Sequence, residues 1–557
     1  MNLKKRHGIA LVVGLLVVVI GSGAAIYWPT LKVKLYSQSA WNARQAEDWE
    51  LAVEWYEKVL HERPDDPFTI RQLAMVSENL SGKKALNWWE RLNQLQPENE
   101  EVALQYATRL MEAGQSGSAY RVLYRHSDRR DLSADFHFLY AQTLEKKKLY
   151  PEAEFRTREG LKSEPVNLKA KLMLYRLLLV QREKEKATET QALTAELFAR
   201  KETAVSARRE LLQSALGYAE VRTAWTMAVE INQLTQFQNE ADVMKLIYIA
   251  ARLDEAALNR ALKASKTLIQ KKPVILAKVT NLLIVEEKAE SGLSWMKDLP
   301  EEVQETIYPK ISEVQFLVAL DQMELAMDKL EAGGPWGKNE LIRQALLAWV
   351  EKLGGDPLAS KQRWDRILKR IGREREVQVI LMAAMKTWAD WSEETAELLW
   401  DIYENEVYAD IALASLKDLY ETLSDPHGLM RLSRELMHDR PDQLRYELDF
   451  IYLSLLLEIQ TQRAHERAAE LYQKQPKQLA IAVNYALSQY RQEEPEAALV
   501  VLDSLETGWQ SNALIQFYRA VFLAASGRKA EAAALYSGAY AQTLMEQEQR
   551  LFQDAIK

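Results

Sequence analysis

The side chains that could bind a metal or transfer a proton are spread thinly along the chain. The seven histidines do not form the H-E-x-x-H pattern that places two zinc ligands on one helical face. His465-Glu466 comes nearest and lacks the second histidine. There is no cysteine, which excludes thiolate nucleophiles, disulfides and Cys-ligated metals. We therefore expect scattered histidines and neither a metal site nor a cofactor.

Glycine-rich and acidic segments give no stronger indication of catalysis. The sequence GGPWGK at 333–338 is the nearest approach to a phosphate-binding loop, but it lacks the spacing and the following Ser or Thr. No G-x-S-x-G or G-x-G-x-x-G pattern is present. Acidic pairs such as Glu100-Glu101 fall in polar turns, and paired carboxylates catalyse only where a cleft separates their pKa values. We predict that the chain is not an enzyme and has no small-molecule substrate.

The chain contains 15 tryptophans, whose rings could form either a core or a binding surface. Trp49, Trp55, Trp88 and Trp89 have the spacing of a helix core. A denser group follows at Trp336, Trp349, Trp364, Trp388, Trp391 and Trp400. Exposed rings of this kind could stack on sugars, so a glycan-binding or enzymatic module in this part of the chain is an alternative function. Helical core spacing explains the same rings more simply.

Charge and composition narrow the class of protein. The net charge is −8, and both signs are interspersed, so no basic face for nucleic acid is predicted. At 557 residues the chain exceeds the ~250–300 residues at which a single core stops growing. Glycine is scarce, with 20 residues, and strong helix formers dominate. The composition predicts an all-α protein made of several domains or of an elongated array.

The N-terminus contains an uncharged apolar segment. Residues 8–28 form a stretch of 21 without charge, which as a helix spans about 31 Å, the thickness of the hydrocarbon layer. Three basic residues precede it, at positions 4–6, and only Lys32 and Lys34 follow closely, which favours a cytoplasmic tail at 1–7 and an extracytoplasmic remainder. The alternative is a signal peptide cleaved near Ser22-Gly23-Ala24, after which the rest is exported. One transmembrane helix is predicted.

Alanines recur with a period near 34. The first series is Ala40, Ala74, Ala107 and Ala141, and the second is Ala52, Ala85, Ala119 and Ala153. The pattern returns near the C-terminus, as Ala486 with Ala497 and as Ala520 with Ala532. Bulky residues come four places after some alanines of the second series, at Tyr56, Trp89 and Tyr536. Prolines come at the ends of several repeats, at Pro64, Pro97 and Pro165. Small residues let two helices approach closely, and proline ends the second helix. Each period therefore predicts a helix hairpin, with a left-handed turn residue such as Gly114 or Gly527 between its helices.

These positions resemble the tetratricopeptide-repeat (TPR) family. The resemblance is clear at about 33–166 and 446–557, for example in AWNARQAEDWELAVEWYEKVLHERP at 40–64. It implies a solenoid of stacked hairpins that forms a right-handed superhelix, because one hairpin cannot bury its apolar face alone. Residues 167–445 keep amphipathic helical patterning without a clear period, and we interpret them as divergent helical repeats.

In that family the first helix of each hairpin faces a groove. The resemblance implies a candidate partner-binding groove formed by Trp41, Arg44, Gln45, Arg71, Met75, Glu78, Asn79 and Phe138, with Leu104, Thr108, Met111, Gln142 and Glu145 at matching positions. Aromatic anchors mixed with polar groups are typical of peptide-binding surfaces. We therefore expect protein partners.

The sequence as a whole predicts a membrane-anchored scaffold. We expect it in a bacterial inner membrane, with the repeats binding envelope proteins in polysaccharide export, secretion or envelope assembly. A cytoplasm-facing assembly scaffold is the remaining alternative, because the charge difference around the apolar segment is small.

Overall fold

The computed structural model describes residue 28 and residues 30–557, apart from positions 130, 333–335, 373, 405–406, 506–511, 537–539 and 541. The predicted cytoplasmic tail at 1–7 and the predicted transmembrane helix at 8–28 therefore lie outside the described residues, except for Trp28. Within the described part of the chain, no helix is both long and apolar enough to cross a membrane.

The described residues form helices and turns and contain no strand, which confirms the prediction of an all-helical fold. They divide into two compact units, Met1–Ser265 and Lys266–Lys557. This boundary falls inside the segment 167–445. Residues 167–265 belong to the same unit as the N-terminal repeats, and residues 266–445 belong to the same unit as the C-terminal ones.

The first unit is a succession of helix hairpins. Its first helices begin one after another at Pro67, Glu100, Ala134, Leu168, Ala204 and Glu240, so the spacing stays between 33 and 36 residues beyond the clear repeats. The helices are α1 (30–45), α2 (Trp49–Glu62), α3 (Pro67–Ser77), α4 (Gly82–Leu95), α5 (Glu100–Glu112), α6 (Ser116–Tyr124), α7 (Ala134–Lys146), α8 (Tyr150–Ser163), α9 (Leu168–Gln181), α10 (Ala187–Ala199), α11 (Ala204–Gly217), α12 (Val221–Leu234), α13 (Glu240–Leu253) and α14 (Glu255–Lys271), which runs across the unit boundary.

Local sequence signals set where these hairpins begin and turn. Asp66, Asn99 and Ser133 cap α3, α5 and α7 by accepting a hydrogen bond from a backbone N–H in the first turn. Gly114 and Gly527, the predicted turn residues, have φ values of +74° and +80°. This left-handed conformation reverses the chain between two helices, and glycine adopts it without steric cost.

The recurrent alanines lie where helices touch. All eight members of the two N-terminal series are at most 1% exposed, as are Ala486, Ala520 and Ala532. Tyr56 and Trp89 are buried beside them, each 3% exposed. In the hairpin that follows Ala486, the fully buried alanine is Ala498, whereas Ala497, which the sequence series assigns, is half-buried. The difference is one residue of register, and Ala498 lies 34 residues before Ala532.

The second unit is also built from helix pairs, with more irregular connections. Its helices are α15 (Ile275–Val285), α16 (Ala289–Met296), α17 (Glu301–Gln304), α18 (Ile307–Ala319), α19 (Met323–Ala332), α20 (Glu340–Leu353), α21 (Pro357–Ile371), α22 (Arg375–Ala384), α23 (Ser392–Tyr403), α24 (Ala409–Thr422), α25 (Pro426–Asp439), α26 (Leu444–Leu457), α27 (Thr461–Lys474), α28 (Leu479–Arg491), α29 (Pro495–Asp503), α30 (Ala513–Ala525), α31 (Lys529–Leu535) and α32 (Glu546–Ile556).

Four of the six clustered tryptophans form part of the core of the second unit. Trp349 stacks on Trp388 with ring centroids 4.7 Å apart, and Trp364 meets Trp391 edge to face at 5.5 Å. Each of the four is at most 5% exposed. Their ring faces are therefore covered by protein and are not presented to solvent.

Two histidines of the first unit lie at least partly in its interior, His126 buried and His137 half-buried. The Nδ1 atoms of His126 and His137 are buried and form no hydrogen bond with any described residue. Burial lowers the pKa of both rings, helped by Arg129 beside His126 and Arg156 beside His137, while Glu98, Glu100 and Glu159 oppose the shift.

We predict that the first unit loses stability as the pH falls below about 6.5, the ordinary pKa of histidine. Between the unfolded-state and folded-state pKa values the two histidines are protonated in the unfolded chain but not in the folded one. The free energy of unfolding therefore decreases as the pH falls, until the pH reaches the folded-state pKa values. The check is the urea midpoint at pH 7.5 and 5.5 for the wild type and a His126→Gln, His137→Gln variant. The variant should lose less stability between the two pH values. An equal loss in both proteins would assign the effect to other groups.

Candidate protein-binding groove

A groove of the first unit lies along its first helices. We call the surface formed by the first helices of successive hairpins the first-helix face. On this face α5, α7 and α9 enclose an open groove of about 450 Å³. The residues that line it are Leu104, Gln105, Thr108, Asp135, Phe138, Leu139, Gln142, Asn167, Lys169, Ala170, Leu172, Met173 and Arg176.

The groove combines an apolar base with side-chain amides. Leucines, Phe138 and Met173 supply the apolar part, and Gln105 and Gln142 each offer both a donor and an acceptor. Asn167 is engaged as the cap of α9, because its amide oxygen accepts from the backbone N–H of Ala170 at 3.0 Å and its amide nitrogen donates to Glu164 at 2.8 Å. Thr108 is already engaged, because its hydroxyl donates to the carbonyl of Leu104 at 2.8 Å. Side-chain amides can form hydrogen bonds with the N–H and C=O groups of a peptide backbone, and apolar pockets can bind its side chains. A groove with both features can therefore bind an extended polypeptide.

Charges at the groove are few and largely paired. The Arg176 guanidinium donates to both carboxylate oxygens of Glu145, at 2.6 and 2.8 Å, and to Glu210 at 3.1 Å. The hydrogen bonds with Glu145 raise the pKa of Arg176, so it stays charged. Asp135 and Lys169 are exposed at the groove. One carboxylate and one ammonium give little net field, so we expect selectivity from shape and hydrogen bonding.

The structure distributes the sequence-predicted positions between this groove and the contacts that hold repeats together. Leu104, Thr108, Phe138 and Gln142 line the groove. Phe138 is 9% exposed and its ring packs on Gly160 of α8, where an added Cβ would lie 2.4 Å from the ring. Glu145 instead binds Arg176, so it positions that side chain.

Three of the predicted residues nearer the N-terminus connect successive first helices. Arg44 on α1 donates to Gln72 on α3. Arg71 on α3 pairs with Glu101 on α5 at 2.6 Å.

Glu78 accepts three hydrogen bonds from two residues. It accepts from Arg109 at 2.7 and 2.9 Å and from the Trp89 indole N–H at 3.0 Å. All three side chains therefore act between repeats.

The other four predicted residues are open to solvent. Trp41 is 47% exposed, with the Arg44 guanidinium 5.7 Å from its ring centroid, and Met75 is 39% exposed. Gln45 and Asn79 are exposed as well. These four are available to a partner, and their role in binding stays a prediction.

Sequence reasoning missed the contribution of α9. Asn167, Lys169, Leu172 and Arg176 complete the groove, yet they follow the last clear repeat, which ends at 166. The available signal was the spacing, because Arg176 follows Gln142 by 34 residues, as Gln142 follows Thr108. Extending the period by one more repeat would have predicted that α9 lines the groove.

In the second unit, a segment of the chain itself lies on the first-helix face. The segment 375–387, formed by α22 and a 3-10 turn, contacts α15 and α20. The side-chain amide of Asn281 donates to the carbonyl of Ala383 at 3.1 Å, and that of Gln315 donates to the carbonyl of Ala384 at 2.9 Å. Amides on the first helices therefore bind backbone carbonyls of a segment that crosses them.

Comparison with known proteins agrees with this architecture. A family model described as "Anaphase-promoting complex, cyclosome, subunit 3", whose repeats are of the tetratricopeptide type, matches residues 78–159. No curated protein sequence matches the chain. The match to residues 78–159 and the helix hairpins support the resemblance to the tetratricopeptide-repeat family.

Two solved structures resemble the chain at low identity. One is the structure of Naa15/Naa10 bound to HypK-THB, with 13% identity, 96% of each chain covered and a TM-score of 0.35. The other is the APC/C hetero-tetramer Cut9-Hcn1, with 13% identity, 94% of this chain and 96% of that chain covered, and a TM-score of 0.28. With TM-scores below 0.5, neither indicates what this chain binds.

We predict that Glu78→Gln lowers the free energy of unfolding by roughly 1–2 kcal/mol, because a carboxylate that accepts three hydrogen bonds from two residues and joins α3, α4 and α5 is lost. The matched control is Glu101→Gln, which removes a more exposed partner of a single arginine and should cost at most about 0.5 kcal/mol. Urea unfolding followed by circular dichroism measures both. Equal effects would show that Glu78 is no more than a surface ion pair.

Proposed function

We propose that this chain is a scaffold that binds an extended segment of another protein in the groove formed by α5, α7 and α9. The observation that supports this most strongly is that the Gln105 and Gln142 side-chain amides lie among apolar side chains in an open groove on the first-helix face. A protein ligand can pair its backbone with those amides and place side chains against the leucines and Phe138.

The second unit offers an internal precedent for this mode of binding. Asn281 and Gln315 hold the backbone carbonyls of Ala383 and Ala384 on the first-helix face. The groove of the first unit presents the same kind of donor in Gln105 and Gln142, without a chain segment over it among the described residues. A partner segment would therefore occupy the position that the chain itself fills in the second unit.

The apolar segment at 8–28 supports a membrane anchor for this scaffold. Its length, its lack of charge and the preceding basic residues are those of a single span with a cytoplasmic N-terminus. The repeats would then lie outside the cytoplasm of a bacterial cell, where they would organise envelope proteins of polysaccharide export, secretion or envelope assembly. Cleavage of the segment as a signal peptide, with export of the repeats, is the alternative.

Glycan binding by the clustered tryptophans is the less favoured function. Trp349, Trp364, Trp388 and Trp391 are buried. Trp336 and Trp400 are partly exposed, and the Arg431 guanidinium lies 4.4 Å from the ring centroid of Trp400. A sugar would have to displace this arginine to stack on Trp400.

The groove is tested by crosslinking in intact membranes followed by purification of the full-length chain. In a Gln142→Ala, Leu172→Ala variant the yield of the dominant crosslinked protein should fall by up to about thirtyfold, since two central contacts of roughly 1 kcal/mol each are removed. Glu152→Ala, at an exposed position of α8, is the matched control and should leave the yield unchanged. An unchanged partner profile in the groove variant would contradict binding at this site.

Membrane topology is tested with reporter proteins fused after Lys557. We expect an alkaline phosphatase fusion to be active and a fluorescent protein that folds only in the cytoplasm to be dark. Changing Lys4, Lys5 and Arg6 to Gln should reduce the phosphatase signal, because the charge bias that orients the span is removed. A bright cytoplasmic reporter on the wild-type chain would instead place the repeats in the cytoplasm.

A further inference from the structure

The last helix of the chain lies on the first-helix face of the last hairpins. Helix α32 contacts α30 and also α26, which precedes α30 by two hairpins. Glu548 on α32 accepts a hydrogen bond from the hydroxyl of Tyr452 on α26. At the other end of α32, the Lys529 ammonium donates to the carbonyl of Ile556 at 2.6 Å. Helix α32 therefore crosses several hairpins instead of continuing the stack.

The contact surface of α32 is narrow. Of its residues only Glu548, Leu551 and Phe552 are buried, at 6%, 4% and 7% exposure. Phe552 stacks on Tyr536 with ring centroids 4.0 Å apart. Glu546, Arg550 and Gln553 face solvent. The helix is thus amphipathic, and an acid followed three and four residues later by an aliphatic and an aromatic residue forms its bound face.

A buried polar network fixes the register of this helix. The hydroxyls of Tyr452 and Tyr518 lie 2.5 Å apart, and Glu548 accepts from Tyr452 and from the backbone N–H of Met545. Burial raises the pKa of Glu548, and the hydrogen bonds from Tyr452 and Met545 oppose this shift. A buried carboxyl contributes little net stability compared with an apolar side chain, but it specifies one position of a ligand. A helix that served only to cover apolar surface would not need it.

The attachment of α32 differs from that of the other segment on a first-helix face. The segment 375–387 continues into helices of the array at both ends, so it cannot leave without opening hairpins. Helix α32 is joined to the array through residues 536–545, and in the described chain no hairpin stacks beyond it. It can therefore leave the face while every described hairpin stays stacked.

We propose that the first-helix face of α26, α28 and α30 is a second binding site, specific for an amphipathic helix of a partner protein, and that α32 occupies this site as an exchangeable internal ligand. The partner helix carries an acidic residue followed at the third and fourth positions by an aliphatic and an aromatic residue. The tether gives α32 a high effective concentration, so the partner binds only when its own affinity or local concentration exceeds that advantage.

The site is tested in the full-length protein with a fluorescein-labelled peptide that has the sequence of residues 542–557, QTLMEQEQRLFQDAIK. Arg550→Pro breaks α32, because proline removes a helical hydrogen bond and clashes with the preceding turn. Arg550→Ala is the matched control at the same exposed position. By fluorescence anisotropy we expect Arg550→Pro to bind the peptide at least tenfold more tightly than either the wild type or Arg550→Ala.

Two further variants test the chemistry of recognition. Adding Tyr452→Phe to Arg550→Pro should weaken peptide binding about three- to tenfold, which corresponds to one lost hydrogen bond of ordinary strength. A peptide with both Leu551 and Phe552 changed to Ala should not bind. If that peptide binds as well as the natural one, the anisotropy change is non-specific and the proposal is wrong.

A measurement on the wild type covers the case in which Arg550→Pro does not fold. Backbone amides of Glu546–Ile556 should exchange hydrogen at least tenfold faster than those of Ala513–Ala525, because α32 leaves while α30 stays packed. Equal protection of both segments would show that α32 is a fixed part of the core. Equally weak peptide binding by folded Arg550→Pro and Arg550→Ala would also overturn the proposal.

Discussion

The structure depends on the close approach of helices at buried alanines. A single hairpin exposes an apolar face that it cannot cover by itself, so each one is stable only against its neighbours. Ala40, Ala74, Ala107 and Ala141 have no exposed surface. A larger side chain at these contacts would force neighbouring helices apart, and overpacking of this kind is destabilising. The spacing of 33 to 36 residues between first helices follows from repeating one contact geometry.

Polar side chains on the first helices then have two different uses. Some join one hairpin to the next, as Glu78 does with Arg109 and as Glu145 does with Arg176. Others bind chain segments that cross the hairpins, as Asn281 and Gln315 do in the second unit. The two uses cannot be told apart from residue type, because a glutamine or a glutamate has the same hydrogen-bonding groups in either place. The neighbours across the hairpin boundary decide which use applies.

The first-helix faces of the two units differ in whether other segments of the chain cover them. In the second unit, the segment 375–387 and α32 cover parts of this face. In the first unit, α5, α7 and α9 enclose an open groove in the described chain. One architecture thus presents an open surface in one place and a self-occupied surface in another. This contrast explains why the proposed primary site lies in the first unit and the proposed exchangeable site in the second.

The sequence by itself determined the helical class, the hairpin period and much of the groove. Alanine spacing, proline positions and capping residues act over a few residues, so they can be recognised without tertiary contacts. The repeat spacing placed four residues at groove positions that line the groove in the structure, namely Leu104, Thr108, Phe138 and Gln142.

Only the tertiary structure decided which surfaces are open and which polar residues are already paired. Glu78 and Arg71 have the groove positions of their repeats and yet pair with residues about 30 positions later. The positions of α22 and α32 on the first-helix face also depend on contacts across several hairpins. Their amphipathic patterns predict helices with one apolar side, but a helical period does not specify which surface that side will cover.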